Sequence, residues 1–123
     1  MQVKIDTKEI FHIIRLKEST LSANMTESLG ERLLTFLETD VKNVVLNLED
    51  ITMMEDAAAE TLVSLQQKFY EQNVSFVICG LIAQIEEKLD SSGLLEIMNV
   101  TPTESEAYDI VQMEEIEREL LNG

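Results

Sequence analysis

Residues 44–58 read Val44-Val45-Leu46-Asn47-Leu48-Glu49-Asp50-Ile51-Thr52-Met53-Met54-Glu55-Asp56-Ala57-Ala58. From Val44 to Leu48 the β-forming apolar run is nearly unbroken, which suits a central strand covered on both faces. Beyond it, Ala58, Leu62, Leu65 and Phe69 fall on one stripe of a helix predicted over about residues 56–72. Strand, short loop and helix in that order form the repeating unit of α/β layers.

The flanks continue the pattern. Val3 and Ile5 alternate with polar neighbours, and Asp6 to Glu9 supplies a polar turn. Ile10 to Leu16 is rich in β-branched and aromatic residues, so residues 1–16 are expected as two strands. Thr20 to Asn24 reads as a polar break. Asn24 with Glu27 three residues later is a capping-box arrangement, and Met25, Leu29, Leu33 and Leu37 predict an amphipathic helix over 25–39. Gly30 costs that helix some propensity, which fits close packing. Val74 to Cys79 reads as the next buried strand. Ile82, Ile85 and Leu89 mark a short helix that Gly93 can end in the left-handed conformation. Leu95 to Val100 is expected as a last short strand, and Pro102, Thr103 and Glu106 open a final helix. The order is ββαβαβαβα. It implies an α/β fold: a mixed sheet of about five strands with four helices, a hairpin at one end and right-handed crossovers elsewhere. With 123 residues and no internal repeat or linker, a single domain over 1–123 is expected.

The net charge of −15 comes from 24 acidic and nine basic residues, the latter scattered singly. Phosphate backbones and anionic lipid should repel such a surface, so no nucleic-acid partner is expected and a charged partner should be basic. No apolar run approaches the roughly 18–20 residues needed to cross a bilayer, so no membrane insertion is expected. Lys4, Asp6, Lys8 and Glu9 interrupt the first ten residues, unlike a signal peptide, and Cys79 is alone. A cytoplasmic protein is expected.

Chemistry is sparse. His12 lies among apolar strand residues and reads as a satisfied strand side chain rather than a base or metal ligand. Cys79, inside an apolar strand, reads as an inert small hydrophobe. The glycines form no phosphate-binding loop, the carboxylates sit mostly at solvent-facing helical positions, and no calcium-loop spacing occurs. No catalytic residue, cofactor or metal is expected, and the chain reads as a non-enzyme. In the final helix, Glu114, Glu115, Glu117 and Glu119 are expected on the outer face. Ile116, Leu120 and Leu121 are expected to extend a stripe that packs on the sheet, with a dimer contact as the alternative.

The stretch from Val44 through Ala58 resembles the signature region of the bacterial anti-sigma factor antagonists, which are STAS domains, the sporulation antagonist among them. Asp90-Ser91-Ser92-Gly93-Leu94 is similar to that family's turn after its third helix, and Thr103-Glu104-Ser105-Glu106-Ala107 to the start of its last helix. In the family, Asp-Ser-Ser-Gly stands at the junction of the third strand and its helix. The first serine is phosphorylated by a kinase that is itself the anti-sigma factor. The aligned junction here is Glu55-Asp56-Ala57-Ala58, so the resemblance puts Asp56 at the phosphoserine position and Ala58 at the glycine. The Asp-Ser-Ser-Gly at 90–93 instead serves as a helix stop.

Phosphoserine carries about −1.5 to −2 charge and three acceptor oxygens. An aspartate carries one charge and two oxygens, a partial imitation that cannot accept phosphate through a hydroxyl. Asp56 equally suits the role of helix N-cap, with Thr52 and Glu55 offering a competing capping box. The family's Gly-Glu-Leu-Asp-like loop is replaced by Glu18-Ser19-Thr20-Leu21. The resemblance implies a regulatory protein-binding module, and with the final helix's stripe left open as a dimer contact, a monomer or weak dimer is expected. Its partner would dock on Glu55, Asp56, Ala57, Ala58 and Ala59 together with Glu18, Ser19, Thr20 and Ser22. That partner would be a histidine-kinase-like anti-sigma factor. The alternative is a cytoplasmic subunit of an ABC-type transporter, bound to its ATPase.

Overall fold

The computed structural model describes residues 1–122. Strands β1 (Val3–Thr7) and β2 (Phe11–Leu16) form the initial antiparallel hairpin, with Val3 opposite Leu16 and Thr7 opposite His12. Asp6 and Thr7 belong to β1, so the turn is tighter than the expected Asp6–Glu9, closed by Lys8 N donating to Phe11 O at 2.8 Å. A two-residue strand, β3 (Thr20–Leu21), then leads into helix α1 (Ala23–Leu34), which a 3-10 turn extends over Thr35–Glu38. Next come β4 (Asn43–Asn47), the short β5 (Met53–Met54), α2 (Asp56–Glu71) and β6 (Phe76–Cys79). Helix α3 (Ala83–Ser91), a 3-10 turn (Leu95–Ile97), β7 (Val100–Thr101) and α4 (Glu104–Asn122) complete the chain.

The main sheet has the order β1-β2-β4-β6-β7, parallel except for the hairpin. Each crossover steps one strand along in the same direction, which puts α1, α2 and α3 on a single face. Alternation along β4 sends Val44 and Leu46 into that face and Val45 to the other, which α4 covers. The larger core holds the predicted stripes: Leu29 and Leu33 of α1, with Ala58, Leu62, Leu65 and Phe69 of α2. Gly30 lets α1 approach α2 closely, since a Cβ there would stand 3.2 Å from Leu65 Cδ2. Burying side chains of this size contributes roughly 1.5–3 kcal/mol each relative to exposure.

Four local expectations are corrected. Residues 20–24 are not simply a polar break, because β3 pairs in parallel with β5, Thr20 opposite Met53 and Leu21 opposite Met54. The cap of α1 is Ser22 rather than Asn24, its Oγ accepting from Met25 N at 3.2 Å. Instead of a strand over 95–100, residues 95–97 form a 3-10 turn and only Val100 and Thr101 join the sheet. The cause lies just upstream. Gly93, at φ 78°, ends α3 with Gly93 N bonded to Asp90 O and Leu94 N to Leu89 O. The chain leaves that cap in a helical turn, and Leu94, Leu95 and Met98 reach the core from it.

The fourth correction concerns α4. Its sheet-facing stripe is Glu104, Ala107, Tyr108, Val111, Glu115 and Arg118, a mixed polar and apolar set. Ala107 and Val111 pack on Val45, Val77 and Cys79. Glu115 accepts from Asn43 Nδ2 at 2.9 Å, and Glu114 accepts from the Tyr70 hydroxyl at 2.9 Å, so neither faces plain solvent. Arg118 donates to Ser75 Oγ at 2.9 Å and to Glu115 at 3.0 Å. Ile116, Leu120 and Leu121 are exposed rather than packed on the sheet.

Candidate functional site

Backbone pairing builds this surface. Ser19 O accepts from Thr52 N at 2.8 Å and Met53 N at 3.1 Å, and Leu21 O accepts from Glu55 N at 3.0 Å. Strand alternation then buries Leu21 and Met54 while Thr20 and Met53 point outward. The small ribbon fastens segment 18–22 to the start of α2, so the N-termini of α1 and α2 lie side by side. Met53, 63% exposed, sits on the ribbon's outer side. Sequence reading passed over it, and its only signal is its place next to a buried methionine in a two-residue strand.

Glu55 occupies the N-cap position of α2, but its side chain does not cap that helix. Its Oε1 accepts from Ala23 N of α1 at 2.7 Å instead. Thr52 donates its hydroxyl to Ser19 O at 3.2 Å, so the capping box expected from Thr52 and Glu55 does not form. Asp56 is the first helical residue of α2, not its cap. Its side chain is 89% exposed, with Oδ1 3.2 Å from Lys88 Nζ. Lys88, in the last turn of α3, also donates to Met54 O, so its ammonium bridges α3 to the ribbon. A shallow groove runs from Asp56 past Glu60 and Lys88 to Ser92 and Leu94. The Asp90-to-Gly93 stop signal therefore reaches this surface through Ser92.

The nine expected contact residues divide. Glu18, Ser19, Thr20, Ser22, Glu55, Asp56 and Ala57 keep exposed or half-buried positions around the ribbon. Ala58 is turned fully into the core, which removes it from the expected contact set, while Ala59, nearly buried, forms part of the groove wall beside Asp56. The reason is helical phase: residues 58, 62 and 65 form the inner stripe, and 59 lies beside it. Glu18 accepts from Gln2 N at 2.8 Å, and Ser22 is spent as the cap of α1.

A second polar cluster, unforeseen from sequence, lies where α4 begins. Glu104 accepts from Arg15 Nε at 2.8 Å and Nη2 at 2.9 Å, from Asn47 Nδ2 at 2.6 Å and from the Tyr108 hydroxyl at 2.8 Å. Arg15 Nη1 also donates to Asp6 Oδ2 at 2.7 Å. The Arg15 guanidinium, aided by Asn47 and Tyr108, holds the Glu104 carboxyl down at about 2. Burial and the bond to Glu104 push the Tyr108 hydroxyl up to about 12. Every polar group in the cluster is answered by another, so it clamps α4 to β2 and β4.

The remaining reactive groups are likewise occupied. His12 shares a 2.9 Å hydrogen bond between Nδ1 and Thr7 Oγ1, its Nε2 lies 2.8 Å from Val41 O, and its ring stacks on Phe36. Burial pushes the Cys79 thiol up to about 12, well away from a reactive thiolate. Among the described residues no three His, Cys, Asp or Glu side chains converge as a metal site, and no helix is long and apolar enough to cross a membrane.

Comparison with known proteins gives a family and a fold. The sequence profile of one family, STAS domain, matches residues 2–107. Among solved structures, a serine-to-glutamate variant of RsbS from Moorella thermoacetica is similar over 91% of this chain and 96% of its own, at 18% identity and TM-score 0.76. SpoIIAA in its unphosphorylated form, described as an anti-sigma factor antagonist, matches over 90% and 96%, at 17% identity and TM-score 0.71. The phosphorylated form of Bacillus SpoIIAA matches over 89% and 99%, at 18% and 0.65. The murine anion transporter Slc26a9 is similar over 84% of this chain and 18% of its own, at 14% and 0.69.

Proposed function

The chain belongs to the STAS domain family, and on that premise we propose that it is a non-enzymatic regulatory module of the anti-sigma factor antagonist kind, acting in the cytoplasm through a protein partner. The partner docks on the β3–β5 ribbon and the first turn of α2, meeting Ser19, Thr20, Met53, Glu55, Asp56 and Ala57. Asp56 stands where the family carries its phosphorylated serine, as a built-in negative charge that cannot be removed by a phosphatase. One observation carries this reading: the Asp56 carboxylate is 89% exposed at the start of a helix, held by a single lysine. A carboxylate needed for the fold would be half-buried and bonded, as Glu104 is. The partner that fits is a histidine-kinase-like anti-sigma factor with a basic approach surface, since like charge repels at an interface.

Affinity capture with the wild-type chain and with Asp56→Ser tests this. Asp56→Ser should retain a kinase of that class and gain phosphate at residue 56 when incubated with it and ATP. Asp56→Arg should weaken the capture at least tenfold. Capture of a transporter ATPase would move the assignment to the ABC-transporter subunit, and binding unchanged by Asp56→Arg would remove the proposed surface.

A further inference from the structure

Helix α4 carries a second face that the fold leaves uncovered. Met113, Ile116 and Leu120 recur at spacings of three and four, which aligns them on one side of the helix. They lie opposite Val111, Glu115 and Arg118, which face the sheet. Met113 is 58% exposed, Ile116 56%, Leu120 78% and the neighbouring Leu121 85%. Single exposed apolar residues are ordinary, but Met113, Ile116 and Leu120 line up on one side within the last three turns of the helix, an arrangement of the kind that marks an interaction site. The family match covers residues 2–107 and so reaches only the first turn of α4.

Charge decides what can cover it. Glu106, Asp109, Glu117 and Glu119 border the stripe and are all exposed. The only basic residue of α4 is Arg118, and it is occupied on the opposite side by Ser75 and Glu115. A second copy laid against the stripe would bring carboxylates against carboxylates as water is expelled, between molecules that each carry −15. An anionic lipid surface meets the same repulsion. A groove that is apolar at its floor and lined with lysine or arginine along its rims satisfies both the stripe and its border.

We propose that the outer face of α4 docks, as a helix in a groove, onto a protein partner with an apolar groove rimmed by basic residues. This surface is separate from the ribbon around Asp56. Photocrosslinking from the full chain in its own cells tests it, with Ile116 or Leu120 replaced in turn by p-benzoylphenylalanine. Both positions should crosslink one protein, within an apolar segment flanked by lysine or arginine. With that protein purified, calorimetry should show Ile116→Ser with Leu120→Ser lowering affinity at least tenfold. Glu117→Lys with Glu119→Lys should lower it several-fold at low salt. These positions are exposed, so circular dichroism should show all the variants folded. The proposal is overturned by crosslinks to a second copy or to lipid, by no protein crosslink, or by charge reversal without effect.

Discussion

Two carboxylates occupy the same position in two helices and meet opposite treatment. Glu104 opens α4 and Asp56 opens α2. Both gain from the positive end of the helix dipole, an effect of about 0.3–1 kcal/mol at exposed sites. Glu104 is half-buried, with Arg15, Asn47 and Tyr108 all donating to it. Asp56 is left in solvent with one lysine. The difference separates a carboxylate that holds the fold from one that the fold merely displays. Glu55 reinforces the contrast, because it turns away from its own helix to serve α1.

The largest effect should come from the half-buried carboxylate. Glu104→Ala leaves Arg15, Asn47 and Tyr108 short of their common acceptor and should cost about 2–3 kcal/mol in urea unfolding. A loss no greater than that of Asp56→Ala would break the comparison. The pH dependence follows in the same group. The folded-state pKa of Glu104 is depressed to about 2, below its ordinary value of 4.5. Its contribution is therefore complete above pH 4.5 and is lost as pH falls from there through about 2. Acid titration of stability should be shallower in Glu104→Gln than in the wild type over that window.

Smaller still is the cap of α1. Ser22→Ala removes the acceptor of Met25 N and should lower stability by about 1 kcal/mol. The smallest effect belongs to Asp56→Ala, expected within about 0.5 kcal/mol of wild type because an exposed ion pair contributes little. Thermal unfolding of the two variants side by side checks the order. A larger loss from Asp56→Ala than from Ser22→Ala would make Asp56 a structural residue and remove the case for its being displayed.

The sheet and its helices were legible because apolar spacing records burial, and Val44–Leu48, Leu62 and Leu29 sit where their periods put them. The ribbon of β3 and β5 was not, since two residues are too few for any period and its bonds are all backbone. The cap of α1 was misplaced by two residues because Ser22 and Asn24 are equally good cap types, and only the end of β3 chooses between them. Helix α4 departs from its pattern. Glu104, Tyr108, Glu115 and Arg118 flank the buried Ala107 and Val111 on its sheet-facing side, while the apolar Met113, Ile116 and Leu120 face outward, so hydrophobicity alone misplaces the last turns. The start of α2 at Asp56 was legible from helical spacing, which predicted a helix over about residues 56–72. The burial of Ala58 and Ala59 follows from helical phase, which the expected contact set did not apply to them.

Chemical-shift mapping of the labelled chain, titrated with the kinase captured by Asp56→Ser, addresses the docking surface most directly. The account predicts the largest amide shifts in residues 19–23 and 52–57, with the β1 edge unmoved. Shifts gathered elsewhere, with the ribbon and the first turn of α2 unchanged, would contradict it.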